Sequence, residues 1–196
     1  MKRVRRIGIF GGSFDPPHIG HLIIAEVARQ KLRLEKVVFV PAYVPPHKKG
    51  EHAATASDRF RMTKLAVRMN PHFSVSDLEI RRKGISYTVD TVRSFKRRYP
   101  ASELFLIIGG DSLRQFWTWR SPQEILSLAS LAVYSRLSDG GHPRTKSHKR
   151  IYHIAGPLLK ISSTEIRNRI GKDRSIQYLV PDRVRAFITR RKLYRR

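Results

Sequence analysis

Two hydrophobic rhythms alternate along this 196-residue chain. One is a short run of consecutive apolar, often β-branched residues, found at Ile7–Phe10, Lys36–Val40, Phe73–Ser76, Leu104–Ile108, Leu131–Ser135 and Ile151–Ile154. The other spaces its apolar residues for one face of a helix, at Leu22–Leu32, Asp58–Met69, Val89–Tyr99, Pro122–Leu128, Thr164–Ile170 and about Asp182 to Lys192. Val92, Phe95 and Tyr99 illustrate the second rhythm, at positions i, i+3 and i+7. Runs that stay apolar without alternating predict strands covered on both faces, as in a parallel sheet. Strands interleaved with helices predict an α/β fold with a doubly wound, mostly parallel sheet. Ligands on that architecture bind beyond the carboxyl ends of the strands, near the point where strand order reverses.

Punctuation along the chain agrees with this outline. Ser121-Pro122-Gln123-Glu124 has the form of a helix start: serine as cap, proline at the first helical position, and glutamate three residues after the serine. No internal repeat or domain boundary is visible, so residues 1–196 are expected to form one domain that ends in a basic helical segment from about residue 181. Pro41–Ala56, rich in proline and histidine, and Leu137–Lys149, rich in glycine, serine and basic residues, have the composition of loops able to close over a substrate.

Composition narrows the class of protein. Hydrophobic residues make up 40% of the chain, enough for a sizeable core. The chain has no cysteine, which excludes disulfides, thiolate metal sites and cysteine nucleophiles. The basic start Met1-Lys2-Arg3-Val4-Arg5-Arg6 is followed by too short an apolar run for a secretory or membrane-spanning segment. A soluble cytoplasmic protein with no membrane partner is therefore expected. Charge changes the picture further: 40 Lys and Arg against 15 Asp and Glu give +25, with a pI near 11.3. Such a surplus favours anionic partners. Its clusters are scattered, at Lys2–Arg6, Arg81–Lys83, Lys96–Arg98, Arg144–Arg150 and Arg183–Arg196. A solvated basic surface and nonspecific nucleic-acid contact both remain open, although no helix-turn-helix, zinc-finger or RNA-recognition signature accompanies the charge. Oligomeric state is not legible in the sequence.

The candidate chemistry begins at Gly11-Gly12-Ser13-Phe14-Asp15-Pro16-Pro17-His18-Ile19-Gly20-His21. An apolar run precedes this string and an amphipathic stretch follows, so it reads as strand, glycine turn and helix. Glycines let a phosphate approach the backbone, a helix start offers unpaired N–H groups, and two histidines three residues apart in the first turn point to a similar side. Two other readings compete with an anion site. A metal pair lacks a third ligand at zinc-site spacing, and the histidines could simply cap a helix. Far downstream, Ile161-Ser162-Ser163-Thr164-Glu165-Ile166-Arg167 has the form of a second helix start. Ser162 and Glu165 make a capping box there. On its own this could be a cap and nothing more, but hydroxyls, amides and Arg167 one turn on also suit a second anion.

Together the two strings resemble the signatures of the HIGH-type nucleotidyltransferases. Pro45-Pro46-His47-Lys48, Ser86-Tyr87-Thr88-Val89-Asp90-Thr91, Gly109-Gly110-Asp111-Ser112 and Phe116-Trp117-Thr118-Trp119 occur between them in order. With these the chain is similar, from Ile7 to Arg167 at least, to the bacterial nicotinate-mononucleotide adenylyltransferases. The resemblance implies direct displacement: a 5′-phosphate oxygen of nicotinate mononucleotide attacks the α-phosphorus of ATP, and pyrophosphate leaves. Catalysis then rests on positioning and on charge stabilisation. It implies His18, His21, Lys48 and Arg167 as catalytic donors, with Mg²⁺ bridging the phosphates. It further implies Gly11, Gly12, Ser13, Phe14, Gly20, Ser162, Ser163 and Thr164 at the ATP phosphates, and Asp111 at sugar hydroxyls. For the mononucleotide it implies His47, Thr88, Trp119 stacked on the pyridine ring, and the amide of Arg120 on the carboxylate. Two positions depart from the family pattern: Arg120 stands where tyrosine is usual, and Gly110 where alanine or threonine is. Nicotinamide mononucleotide and phosphopantetheine are alternative acceptors for the same ATP site. A basic nucleic-acid-binding protein on a nucleotide-binding fold is the alternative of another class.

Overall fold

The first apolar run becomes strand β1 (Arg6–Gly12) of a computed structural model that describes residues 4–46, 53–136, 149–157 and 160–195. Ile7 and Ile9 of β1 are fully buried. Gly8 between them is dictated by contact: a Cβ there would lie 2.9 Å from Leu34 Cδ1 and 3.1 Å from Ile107 Cδ1. The other runs become β2 (Lys36–Pro41), β3 (Phe73–Val75), β4 (Glu103–Gly109), β5 (Ser130–Arg136) and β6 (Ile151–Gly156). They form one sheet in the order β3-β2-β1-β4-β5-β6. The pairings β1–β4, β4–β5 and β5–β6 are parallel. Strand order reverses at β1, so the glycine string leaves the sheet at the topological position where doubly wound folds bind ligands.

The helices are α1 (Ile19–Lys31), α2 (Ala56–Val67), α3 (Leu78–Arg82), α4 (Thr88–Arg98), α5 (Gly110–Gln115), α6 (Pro122–Leu128), α7 (Ser163–Ile170) and α8 (Asp182–Arg190). The six long periodic segments are all present, with ends shifted by a few residues. Helices α3 and α5, and the 3₁₀ turn Phe116–Thr118, were not foreseen because elements of one or two turns show no period. Helix α1 begins three residues before the predicted Leu22. His21 and Gly20 therefore lie inside it, and His18 stands just ahead, which corrects the expectation of two histidines in the first turn. Helix α6 starts at Pro122 as expected, but Ser121 sits at φ 52° with no side-chain cap bond. The Glu124 carboxylate instead receives the Arg93 guanidinium of α4. No described helix is long and apolar enough to cross a membrane.

The chain divides into two compact units. One gathers the described parts of residues 1–11, 24–38 and 87–159. Within it Leu104–Ile108 of β4 are buried, together with Val89, Val92 and Phe95 of α4 and Ile125 and Leu126 of α6. The other gathers the described parts of residues 12–23, 39–86 and 160–196. Its core joins Met62 and Ala66 of α2, Ile166 of α7, and Val184, Phe187 and Ile188 of α8. Each of the three α8 side chains contributes about 1.5–3 kcal/mol by leaving water. Arg183, Arg185 and Arg190 on the same helix face solvent. The basic C-terminal segment is thus an amphipathic helix, docked by its apolar side. Thr55 caps α2, its hydroxyl oxygen accepting from the Asp58 N–H at 3.1 Å, a cap stabilising by about 1 kcal/mol.

Candidate functional site

Beyond β1 the chain makes a turn that is anchored by an aromatic ring. Phe14 is buried and has φ 49°, a left-handed conformation that costs a non-glycine residue roughly 1–2 kcal/mol. Burial of its ring offsets that cost. The ring lies edge-on to His21 with centroids 5.1 Å apart and 5.6 Å from Phe39. Gly12 makes room for it, since a Cβ there would sit 3.0 Å from the Phe14 ring. Gly11 is different: nothing lies within 4 Å of where its Cβ would be. Asp15–Pro16 is a cis peptide.

The two histidines form a stack, with ring centroids 3.7 Å apart and planes inclined by 31°. Gly20 permits it, because a Cβ there would press to 3.0 Å from His18 Nδ1. The backbone N–H of His18 donates to His21 Nδ1 at 3.2 Å. An accepting Nδ1 carries no proton, so neutral His21 holds its proton on Nε2 and presents that N–H as a donor. His18 Nδ1 is buried without a hydrogen-bond partner. Burial lowers the His18 pKa to about 4. His21 is pulled well below 6.5 by burial first and by the charge of His18 second. Both imidazoles are neutral at pH 7. The helix start does not supply the free amides expected from sequence at Ile19 and His21: the Ile19 N–H donates to Leu179 O and the His21 N–H to His18 O, each at 3.0 Å.

The second string meets the first. Ser162 caps α7, its hydroxyl oxygen accepting from the Glu165 N–H at 3.1 Å. Ser163 Oγ donates to Pro16 O at 2.8 Å across 147 residues of sequence. Arg167 donates to Asp15 O at 2.8 Å and to Thr164 Oγ1 at 3.3 Å. The two strings are thus bonded to each other, and the second holds the backbone of the first.

Three side chains that bear on this turn were given no role by the sequence reading: Asp15 within the string, and Arg59 and Tyr194 outside it. The Asp15 carboxylate is buried and accepts from Tyr194 Oη at 2.7 Å and from the Ala53 N–H at 3.0 Å. Burial, then Asp15, push the Tyr194 phenol far above its usual range, so it remains a donor. Arg59 is 1% exposed. Its guanidinium donates to Ser13 O at 2.8 Å, Ala42 O at 2.6 Å and Tyr43 O at 3.0 Å, and its Nε to Ala54 O at 3.4 Å. Burial lowers its pKa, and Asp15, Tyr194 and Glu79 oppose that. A lone arginine or tyrosine outside a motif carries no sequence signal for such a role.

Of the residues predicted for the mononucleotide, Thr88, Trp119 and Arg120 belong to the other unit. Thr88 is the first residue of α4, with Tyr87 and not Thr88 at the cap. The Arg120 guanidinium lies over the Tyr87 ring, 4.8 Å from its centroid. Trp119 is half-buried against Phe116, centroids 5.6 Å apart, and Trp117 is 54% exposed. The core aromatic of this segment is Phe116, not either tryptophan. Asp111 sits in the first turn of α5, exposed and paired with Arg114. His47 and Lys48 lie outside the described residues. Among the described residues no group of three or more His, Cys, Asp or Glu could hold a metal ion.

Residues 9–169 match the cytidylyltransferase-like family. The chain is 46% identical to a protein of Desulfitobacterium hafniense over 97% of this chain and 96% of the relative. It is 44% identical to one of Thermus thermophilus over 97% and 100%. Both relatives carry the name probable nicotinate-nucleotide adenylyltransferase. In fold it is similar to the Plasmodium falciparum nicotinic acid mononucleotide adenylyltransferase, solved in complex with NaAD. That match has a TM-score of 0.76 and 20% identity, and covers 97% of each chain.

Proposed function

The chain belongs to the cytidylyltransferase-like family, and from that premise we propose that it transfers the adenylyl group of ATP to nicotinate mononucleotide. An oxygen of the mononucleotide 5′-phosphate forms a bond to the α-phosphorus of ATP. The bond from that phosphorus to the β-phosphate oxygen breaks, pyrophosphate leaves with the electron pair, and deamido-NAD is the other product. The observation that carries the reading is the bonding of Ser163 and Arg167 to the Asp15–Pro16 carbonyls beside two stacked, neutral histidines. It bonds to each other the two strings that we propose bind phosphate.

Roles follow from the chemistry of each group. His21 Nε2–H and His18 are neutral donors to phosphate oxygens, and an arriving polyanion favours their protonation as charge develops. Arg167 adds permanent positive charge, and the amides of Gly12, Ser13 and Phe14 add fixed dipoles, with Gly11 left open for close approach. Ser162, Ser163 and Thr164 line the start of α7, where the helix dipole favours an anion. Lys48 and His47 are proposed to add further donors. Trp119 would stack on the pyridine ring, Thr88 and the Arg120 amide would receive the carboxylate, and Asp111 would accept from sugar hydroxyls. Mg²⁺ would accompany ATP, neutralising charge on its phosphates.

The test is pyrophosphate release with ATP and each of nicotinate mononucleotide, nicotinamide mononucleotide and phosphopantetheine. Release with the acid in preference to the amide is expected. Equal rates with both would remove the carboxylate-recognition assignment, and release with none would remove the proposed reaction.

A further inference from the structure

We propose that Arg59 and Tyr194 are positioning residues that set the direction of the phosphate-binding amides from behind the turn. The proposal rests on the phosphate reading of the glycine turn.

The geometry follows from the planarity of the peptide. In a trans peptide the C=O of one residue and the N–H of the next point in opposite directions. Arg59 draws Ser13 O inward at 2.8 Å, so the N–H of Phe14 is turned away from Arg59. The Ala42 N–H draws Gly12 O at 2.9 Å, which turns the N–H of Ser13 away in the same manner. Two adjacent amide donors are thereby aimed by what holds the carbonyls behind them. Arg59 suits this task because its fork reaches several acceptors at once: one guanidinium ties Ser13 to Ala42 and Tyr43 after β2, and its Nε reaches Ala54 ahead of α2. A buried cation spent on backbone carbonyls is expensive unless its neighbourhood is negative. The buried Asp15 carboxylate supplies that charge.

Asp15 is in turn held by the end of the chain. Tyr194 Oη donates to Asp15 Oδ1 across 179 residues of sequence. The Tyr194 ring packs on the cluster of Met62, Ile166 and Phe187, and Asp58 at the start of α2 lies 3.5 Å from Arg191 just after α8. The docked α8 therefore carries Tyr194 to the turn. Tyr194, 179 residues from Asp15 in sequence, becomes part of the support beneath the phosphate-binding backbone.

The test compares Tyr194→Phe, Arg59→Lys and His21→Ala in steady-state pyrophosphate release, with folded fraction followed by circular dichroism. Tyr194→Phe keeps the ring and removes one hydrogen bond. We expect kcat to fall about 10-fold with KM for the mononucleotide within twofold of wild type. Arg59→Lys keeps the charge and loses the fork, so a deeper fall in kcat is expected and charge alone does not rescue it. A Tyr194→Phe enzyme with kcat within twofold of wild type overturns the inference, as does a fall matched by an equal loss of folded protein. His21→Ala separates the two levels. If it retains activity, the phosphate reading itself fails; if it is inactive while Tyr194→Phe and Arg59→Lys are normal, only the support fails.

Discussion

In one unit the carbonyls of Gly12, Ser13, Asp15 and Pro16 each accept a hydrogen bond from elsewhere in that unit, given by Ala42, Arg59, Arg167 and Ser163. In the other, the residues predicted for sugar hydroxyls, for the pyridine ring and for the carboxylate have few such restraints: Asp111 is exposed, Trp119 half-buried, and Arg120 lies over a tyrosine ring. The contrast follows from the chemistry each set would face. Stabilising a phosphorus centre as charge develops needs dipoles already aimed, because reorienting them costs energy in the transition state. Holding a flat ring needs only a flat partner with room to adjust. Rigidity is concentrated where charge would move.

The sharpest way to break that contrast is His21→Ala. It removes the Nε2–H donor and the edge contact to Phe14, and kcat is expected to fall by about 10²–10⁴. Circular dichroism should report a folded protein. Near-wild-type turnover would mean that the aimed donors are not aimed at the reaction.

Next in size is a stability change with pH. The folded pKa of His18, about 4, lies below the value of about 6.5 for the unfolded chain. Between these two values the unfolded chain binds the extra proton. Stability from this group is therefore fully present above pH 6.5 and is lost as pH falls toward 4. The loss amounts to at most roughly 3–4 kcal/mol, at about 1.4 kcal/mol per unit. Denaturant melts at pH 7 and pH 4.5 should show it, and His18→Ala should flatten the difference. An unchanged slope in the variant would assign the acid sensitivity elsewhere.

The smallest effect is expected in the less restrained unit. Trp119→Ala should raise KM for the mononucleotide about 10-fold, the equivalent of one aromatic contact of about 1.4 kcal/mol. KM for ATP should stay within twofold. An unchanged constant for the mononucleotide would move the stacking role to Trp117, the more exposed ring.

Most of the architecture was legible along the chain because the signals are local. A strand buried on both faces must be apolar throughout, as Leu104–Ile108 is, and a helix that packs one side must repeat, as Val92 and Phe95 do. The two strings proposed to bind phosphate stood out for a related reason: their glycines, serines and histidines cluster at predicted helix starts. Local rules also misplaced details. Ser121 has the composition of a cap, yet Glu124 is drawn to Arg93 on another helix, and a side chain bonded elsewhere cannot close a capping box. The free amides expected at the start of α1 were partly taken by Leu179, 160 residues away in the sequence.

What the sequence determined by itself, then, is whatever depends on neighbours within a turn or two: the alternation of strands and helices, the doubly wound class, and the two strings that suit phosphate. Tertiary structure alone decided how those strings are held. Arg59 and Tyr194 matter through hydrogen bonds to Ser13 and Asp15 that span 46 and 179 residues. Such bonds depend on segments that the core of Met62, Ile166, Val184 and Phe187 packs together. A buried donor chooses its acceptor by position in space, and a linear pattern carries no record of that choice.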